Sequence, residues 1–355
     1  MDKIDKLKKF WNNKKVFVTG HTGFKGSWFI IILKLLGAKV YGYSLKPKKK
    51  SLFNKINAQD LLEKNYYGDI NDLGNLKKKI KVCKPKIIFH LAAQALVIDS
   101  HKDPIKTFRT NILGTCNVLE TIKSISSIKS AVIVTTDKVY KEKKSKFLFS
   151  EEDELGGKDP YSASKVCAEI LLNSYILSFF KNSHLKNSVS SARSGNVVGG
   201  GDYSKNRLIP DIFFSIKSKT KLKIRNPKHV RPWQHVIEPL IGYILLAQKQ
   251  MKKNINKIPN WNFGPEKNNF VSVIEIVNMI NKNSNFKTKT QKQNNFLETK
   301  ILKLNSKKSK KILNWKPKWN IKKTIEKVVE WNIMESKKFN ARKICELQVR
   351  KYLQD

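Results

Sequence analysis

The heptapeptide "GHTGFKG", residues 20–26, constrains the fold of this chain more than any other stretch. It follows "KKVFVT" (14–19), an apolar run rich in β-branched residues, and leads into "KGSWFIIILKLLG" (25–37), a helical pattern ended by Gly37. A strand, a tight turn of glycines and a helix together open a β-α-β unit. Gly20, Gly23 and Gly26 permit that turn and let a pyrophosphate approach the backbone at the helix N-terminus.

The alternation continues. "AKVYGYS" (38–44) reads as a second strand, "NLKKKIKVCK" (75–84) as a short helix and "PKIIFHLAA" (85–93) as a strand. Residues 103–125 read as one long helix, "KSAVIVTTD" (129–137) as another strand and 161–180 as a helix. Repeated β-α-β units predict an α/β fold, a Rossmann-type doubly wound parallel sheet with right-handed crossovers. Residues 1–190 are expected to form the dinucleotide-binding domain, joined by parts of 230–265. After about residue 190 the pattern loosens, so 191–355 is expected to be mainly a smaller α+β substrate-binding lobe. The lysine- and asparagine-rich segment 281–311 is expected on the surface, and "ARKICELQVRKYLQ" (341–354) as a closing helix.

Composition narrows the function classes. At 355 residues with 40% hydrophobic residues the chain can bury a sizeable core. Its net charge of +43 would ordinarily suggest nucleic acid or an anionic membrane. The lysines are spread over every segment, however, and none alternate with aromatics as in a single-strand platform, so neither partner is expected. Only seven of the 71 basic residues are arginine. Four of them, Arg109, Arg193, Arg207 and Arg231, fall in the motif-rich stretches, where a planar fork has uses that an ammonium lacks. The four cysteines lie far apart, which argues against zinc and disulfides and suits a reducing cytosol. No metal is expected. The N-terminus lacks a signal-peptide apolar core, and "SWFIIILKLLGA" is too short to span a bilayer.

No Asp or Glu occurs between Asp5 and Asp60, so no carboxylate closes the second strand to hold a ribose 2′-hydroxyl. Lys46 and Lys48 follow Ser44 instead, which leaves NAD and NADP both open on physical grounds. Asp69 in "YGDI" is expected at the adenine, or else in a local turn.

The chemistry is concentrated in two stretches. "YSASK" puts Tyr161 and Lys165 four apart on one helix face, where the ammonium lowers the phenol's pKa. "TTDK" delivers Thr136, Asp137 and Lys138 at the end of a strand. Thr136 and Tyr161 are expected at a sugar hydroxyl that loses its proton while its carbon loses hydride. Asp137 is placed to protonate a departing hydroxyl if burial keeps it partly protonated. For Lys138 two readings stay open: a neutral base, or a cation beside a developing enolate. Arg193, Arg207 and Arg231 are expected to grip a diphosphate, because the guanidinium fork donates two parallel bonds, with Asn196 and His235 nearby. Arg109, mid-helix, is expected to be structural.

With these residues in place, the chain resembles the extended short-chain dehydrogenase/reductase family over nearly its whole length. Within that family it is most similar to the nucleotide-sugar 4,6-dehydratases that act on CDP-glucose. The resemblance rests on "VTGHTGFKGSW", "FHLAAQALV", "TNILGT", "TTDKVY", "GGKDPYSASK", "ARSGNVVGGGD", "NRLIPDI", "IRNPKHVRPWQHVIEPLIGY" and "WNFGP". It implies NAD retained through the cycle, with Phe24, Lys25, Ile70, Leu91, Ala92, Ala93 and Thr110 also at the cofactor and Gln94 at the substrate. It implies a cytoplasmic homodimer making CDP-4-keto-6-deoxyglucose for surface deoxysugars such as those of O-antigen. Relatives of other specificity carry glutamate where Lys138 stands. The family usually has Pro where Ala95 stands, and Arg and Tyr near Ile98 and His101. A 4-epimerase would share Tyr161 and Lys165 but needs no group to expel water, so Asp137 and Lys138 favour dehydration.

Overall fold

The structure is a computed structural model that describes residues 3–142, 148–186, 188–252, 259–266, 269–282, 286–290 and 302–355. Its main sheet has seven strands: β1 (Lys15–Thr19), β2 (Lys39–Ser44), β3 (Lys64–Tyr67), β4 (Ile87–His90), β5 (Ser130–Val134), β6 (Val189–Ser194) and β7 (Asn260–Phe263). They run in the order β7-β6-β5-β4-β1-β2-β3, every pair parallel. This is the expected doubly wound α/β sheet, with the strand order reversing between β1 and β4. Strands covered on both faces need apolar residues at consecutive positions. Val16 and Val18 accordingly enter one apolar layer while Phe17 enters the other, and Val132 and Ile133 divide in the same way.

The helices that cover the sheet are α1 (Lys3–Trp11), α2 (Phe24–Leu35), α3 (Leu73–Cys83), α4 (Gly114–Lys123) and α5 (Pro160–Tyr175). Beyond them come α6 (Leu208–Ser218), α7 (Ile237–Met251), α8 (Val273–Asn281), α9 (Ile321–Ser336) and α10 (Ala341–Gln354). The smaller lobe packs Ile209, Ile212, Trp233, Ile276 and Val328 into a core of its own. Trp28 of α2 ties it to the sheet by donating from Nε1 to the Gly200 carbonyl at 3.0 Å.

Several expectations need correction. The single helix over 103–125 is broken into Pro104–Phe108, a π-turn Arg109–Leu113, and α4. Its start is set by Asp103, whose side chain caps the Lys106 N–H at 2.9 Å ahead of Pro104. The edge strand β3 was missed because "KNYY" is short, polar and half-exposed. The closing helix was expected, and its Ile344, Cys345, Val349 and Tyr352 share an apolar cluster with Val16, Val18 and Trp28. In the segment 281–311, residues 283–285 and 291–301 lie outside the described residues. Residues 287–290 are exposed as expected, whereas Leu302 and Leu304 are buried with Val139, Tyr140 and Phe149.

Two features of the sheet yield predictions. His90, at the end of β4, lies between Thr19 Oγ1 (2.7 Å) and Thr115 Oγ1 (3.1 Å), and burial pushes its pKa down to about 3. A base that is neutral when folded but protonates when unfolded stabilises fully above pH 6.5, and that contribution is lost as pH falls towards the folded pKa. By pH 5 the loss is about 2 kcal/mol. Urea midpoints should therefore fall less between pH 7 and pH 5 for His90→Gln than for the parent. Parallel curves would contradict this.

At the glycine turn, a Cβ on Gly26 would lie 2.3 Å from the Gly20 carbonyl and 2.6 Å from His21 Cα. Those are backbone atoms of the preceding turn and cannot rotate away. Gly26→Ala should cost about 1–3 kcal/mol in urea denaturation, the usual range for overpacking.

Candidate active site

A cleft of about 1430 Å³ opens at the carboxyl ends of the strands, where the strand order reverses. Gly20 (φ 73°) turns the chain from β1 towards α2. Its missing side chain lets the backbone of Leu91 and Ala92 approach, since a Cβ there would lie 2.5 Å from Ala92 N. Gly23 caps α2 with no side chain, and α2 has no acid in its first turn. The first amides of the helix are therefore open to an anion. Gly20, Gly23, Phe24, Lys25, Gly26, Asp69, Ile70, Leu91, Ala92, Ala93 and Thr110 all line the cleft. Asp69 also closes its own turn, with Oδ1 accepting from Asn71 N and Nδ2, both at 2.9 Å. This donor set fits a dinucleotide laid across the switch point.

The two catalytic stretches meet deeper in. α5 starts sharply at Pro160 behind a capping box between Asp159 and Ser162, which sets Tyr161 and Lys165 on one face. β5 ends at Val134 and runs into a 3-10 turn, Asp137–Val139, capped by the Thr136 hydroxyl. Thr136, Asp137, Lys138, Tyr161 and Lys165 all line the cleft. Lys165 Nζ donates to the Val134 carbonyl at 3.2 Å, and the Thr136 hydroxyl donates to Asp137 Oδ1 at 3.1 Å.

Burial dominates the electrostatics here. It pushes Tyr161 up to about 12, with Thr136 and Arg207 opposing. Lys165 falls to about 8, with Glu169 opposing. Lys25 falls to about 7 by burial and by repulsion from Arg207 and Lys165, with Asp137 opposing. Burial also raises the Asp137 carboxyl, against Lys138, Thr136, Arg231 and Lys25. Asp137 is 2% exposed; Oδ1 accepts from Thr136 Oγ1 at 3.1 Å, while Oδ2 has no partner among the described residues. A buried acid oxygen without a partner, beside an open cleft, is suited to give or take a proton.

On the lobe side Asn196, Arg207 and Arg231 line the cleft. Arg207 is held by Asp202 at 3.0 Å, and Arg231 Nη1 donates to the Val230 carbonyl at 3.0 Å. Three expected substrate residues are elsewhere. Gln94 folds into its own loop, donating to the Leu96 carbonyl and Thr107 Oγ1 and accepting from Leu96 N. His235 is fully buried between the Trp28 and Trp319 rings. Arg193 spends its fork on Glu169 and Tyr140 beneath the cleft. Conversely Arg109, expected to be structural, is exposed and lines the cleft on the π-turn. Sequence reasoning passed over Arg225, which also lines it; its only signal was its place in the "IRNPKHVRPW" stretch.

Residues 17–328 match the family model described as GDP-mannose 4,6 dehydratase. The chain is 41% identical to a CDP-glucose 4,6-dehydratase of Salmonella typhimurium over 92% of each sequence. It is 30% identical to a dTDP-D-glucose 4,6-dehydratase of Dictyostelium discoideum over 69% of this chain and 58% of that protein. Its fold matches the crystal structure of a Bacillus anthracis dTDP-glucose 4,6-dehydratase in complex with NAD (TM-score 0.75, 23% identity, 94% of this chain and 99% of that one). A Thermotoga maritima UDP-glucose 4-epimerase with UDP-glucose matches similarly (TM-score 0.79, 20% identity, 91% and 99%). With the family model matched over residues 17–328 and 41% identity to the Salmonella typhimurium enzyme over 92% of the chain, the chain belongs to the GDP-mannose 4,6 dehydratase family.

Proposed function

We propose that this chain dehydrates CDP-glucose to CDP-4-keto-6-deoxyglucose with bound NAD. The observation that carries this reading is the convergence of Tyr161 and Lys165 with a buried, half-unpartnered acid, Asp137, in one cleft. The likeness to the Salmonella typhimurium enzyme supports the choice of CDP-glucose. Held at the Gly20–Gly26 turn and the N-terminus of α2, NAD would supply reversible hydride acceptance. Tyr161 takes the C4 hydroxyl proton, Thr136 holds the same oxygen, and Lys165 stands one turn further along the same face of α5. A carbonyl at C4 acidifies the C5 proton, which passes to Lys138 as the C6 hydroxyl leaves as water with a proton from Asp137, and which returns to C5 when hydride reaches C6. Lys138, half-buried next to Asp137, serves this elimination. Arg207, Arg231 and Asn196 hold the nucleotide diphosphate.

A homodimer belongs to the same reading. Among the described residues one helical stretch, Pro160–Phe180, is long and apolar enough to cross a bilayer. It carries Tyr161 and Lys165 and packs Leu172 against the sheet, while Ile170 and Leu177 are each 59% exposed. Exposed apolar helix faces of this kind suit a second copy in the cytosol better than lipid.

The test is incubation with NAD and CDP-, UDP-, GDP- or dTDP-glucose, followed by the alkali-induced absorbance of a 4-keto sugar. CDP-glucose should give the signal at a kcat/KM at least about tenfold above the others, a discrimination of about 1.4 kcal/mol. No signal with CDP-glucose would overturn the reading. In Lys138→Met, the C4 oxidation should persist while solvent deuterium incorporation at C5 and product release stall. Product formation at the parental rate would remove Lys138 from the elimination.

A further inference from the structure

Tyr161, Lys165 and Glu169 stand four residues apart on α5, and the reaction above uses only the first two. Glu169 is buried, and its carboxylate forms a two-point ion pair with Arg193: Oε1 accepts from Nε at 3.0 Å and Oε2 from Nη2 at 2.9 Å. The same carboxylate accepts from Thr135 Oγ1 at 2.5 Å and from Ser191 Oγ at 2.8 Å. The remaining arm of the guanidinium, Nη1, donates to the Tyr140 hydroxyl at 2.9 Å and to the Glu151 carbonyl at 3.3 Å. Tyr140 in turn donates to Asn262 Oδ1 at 2.6 Å and stacks on Phe149 with ring centroids 4.9 Å apart.

Thr135 and Tyr140 flank the segment that presents Thr136, Asp137 and Lys138. Glu169 grips the near end and Arg193 the far end. We propose that Glu169 and Arg193 are positioning residues of this active site, their buried ion pair holding both ends of the Thr135–Tyr140 turn in register with Tyr161 and Lys165.

Stability alone is a poor reason for such a pair. Well-packed apolar side chains in place of a buried ion pair are often no less stable. What apolar groups cannot do is bond a hydroxyl at each end of a turn and fix their separation. The pair also acts on charge. Burial would raise the Glu169 carboxyl, but Arg193 and the Thr135 and Ser191 hydroxyls outweigh it and hold Glu169 ionised. That negative charge, one helical turn from Lys165, opposes the tendency of burial to neutralise the ammonium.

Two variants test this without emptying the core. Tyr140→Phe keeps the ring on Phe149 and removes only the bonds to Arg193 and Asn262. Arg193→Lys keeps a charge beside Glu169 but replaces the fork with a single ammonium. Amide hydrogen exchange, read by mass spectrometry on peptides of the whole chain, needs no substrate. It should speed up at least about tenfold over 134–141 and stay at the parental rate in β2 and α10. The kinetic arm rests on the dehydration reading: kcat for CDP-glucose should fall about ten- to a hundredfold, as expected for a misplaced catalytic group, with KM within about twofold. Parental exchange over 134–141 and parental kcat in Tyr140→Phe would overturn the proposal, as would exchange that speeds up evenly across the chain. A parent enzyme that dehydrates no nucleotide-glucose would overturn the function reading instead, and the exchange arm would still decide the clamp.

Discussion

The close approach of three backbone segments at Gly20 fixes where everything else in this protein can be. The β1 turn, the first turn of α2 and the turn after β4 meet there at distances that leave no room for a Cβ. The connections that follow β1 and β4, the parallel strands on either side of that point, lead to opposite sides of the sheet's switch point, so a cleft opens in front of it. The amides of α2 face the cleft because the helix begins on a glycine, with no side chain to occupy them. From there the sheet sets the depth of the site. β5 is one strand beyond β4, and its end delivers Thr136 and Asp137 opposite the α5 face that bears Tyr161 and Lys165.

What the site does chemically follows from burial more than from any single charge. Desolvation moves Lys25, Lys165, Tyr161 and Asp137 all towards their neutral forms. A site whose acids and bases are all held near neutrality can pass a proton in either direction, as successive oxidation, elimination and reduction require. The opposing terms are specific. Glu169 supports the charge on Lys165, and Lys138, Arg231 and Lys25 support the ionised form of Asp137. In the lobe, Arg207 pairs with Asp202 and the buried Arg231 bonds the Val230 carbonyl and His229, yet both line the cleft. Arg193, saturated by Glu169 and Tyr140, does not.

Much of this was legible in the sequence, for physical reasons that can be named. The glycine turn and the four-residue spacing of Tyr161 and Lys165 are local, so spacing alone places them. The alternation of buried strands with amphipathic helices gave the sheet and its order class. What the sequence obscured was partnership across long separations. Arg193 looks like a diphosphate ligand until Glu169, 24 residues earlier, is seen beneath it. His235 reads as a polar site residue until Trp28 and Trp319 close over it from distant segments. Gln94 reads as a substrate contact but spends its amide on its own loop. The stripe Tyr161–Lys165–Glu169 was readable in principle, since it only extends the spacing already noticed by one more turn.

The central claim is that Tyr161 performs proton transfer at the sugar's C4 hydroxyl within a preformed cofactor cleft. The most direct measurement is steady-state turnover of CDP-glucose by Tyr161→Phe, alongside NAD binding by the same variant. Only one hydroxyl is removed, from a ring whose surroundings stay filled. Turnover should fall by about 10²–10⁴-fold, the usual contribution of a general base, while NAD affinity stays within a few-fold of the parent. Turnover within a few-fold of the parent would contradict the account.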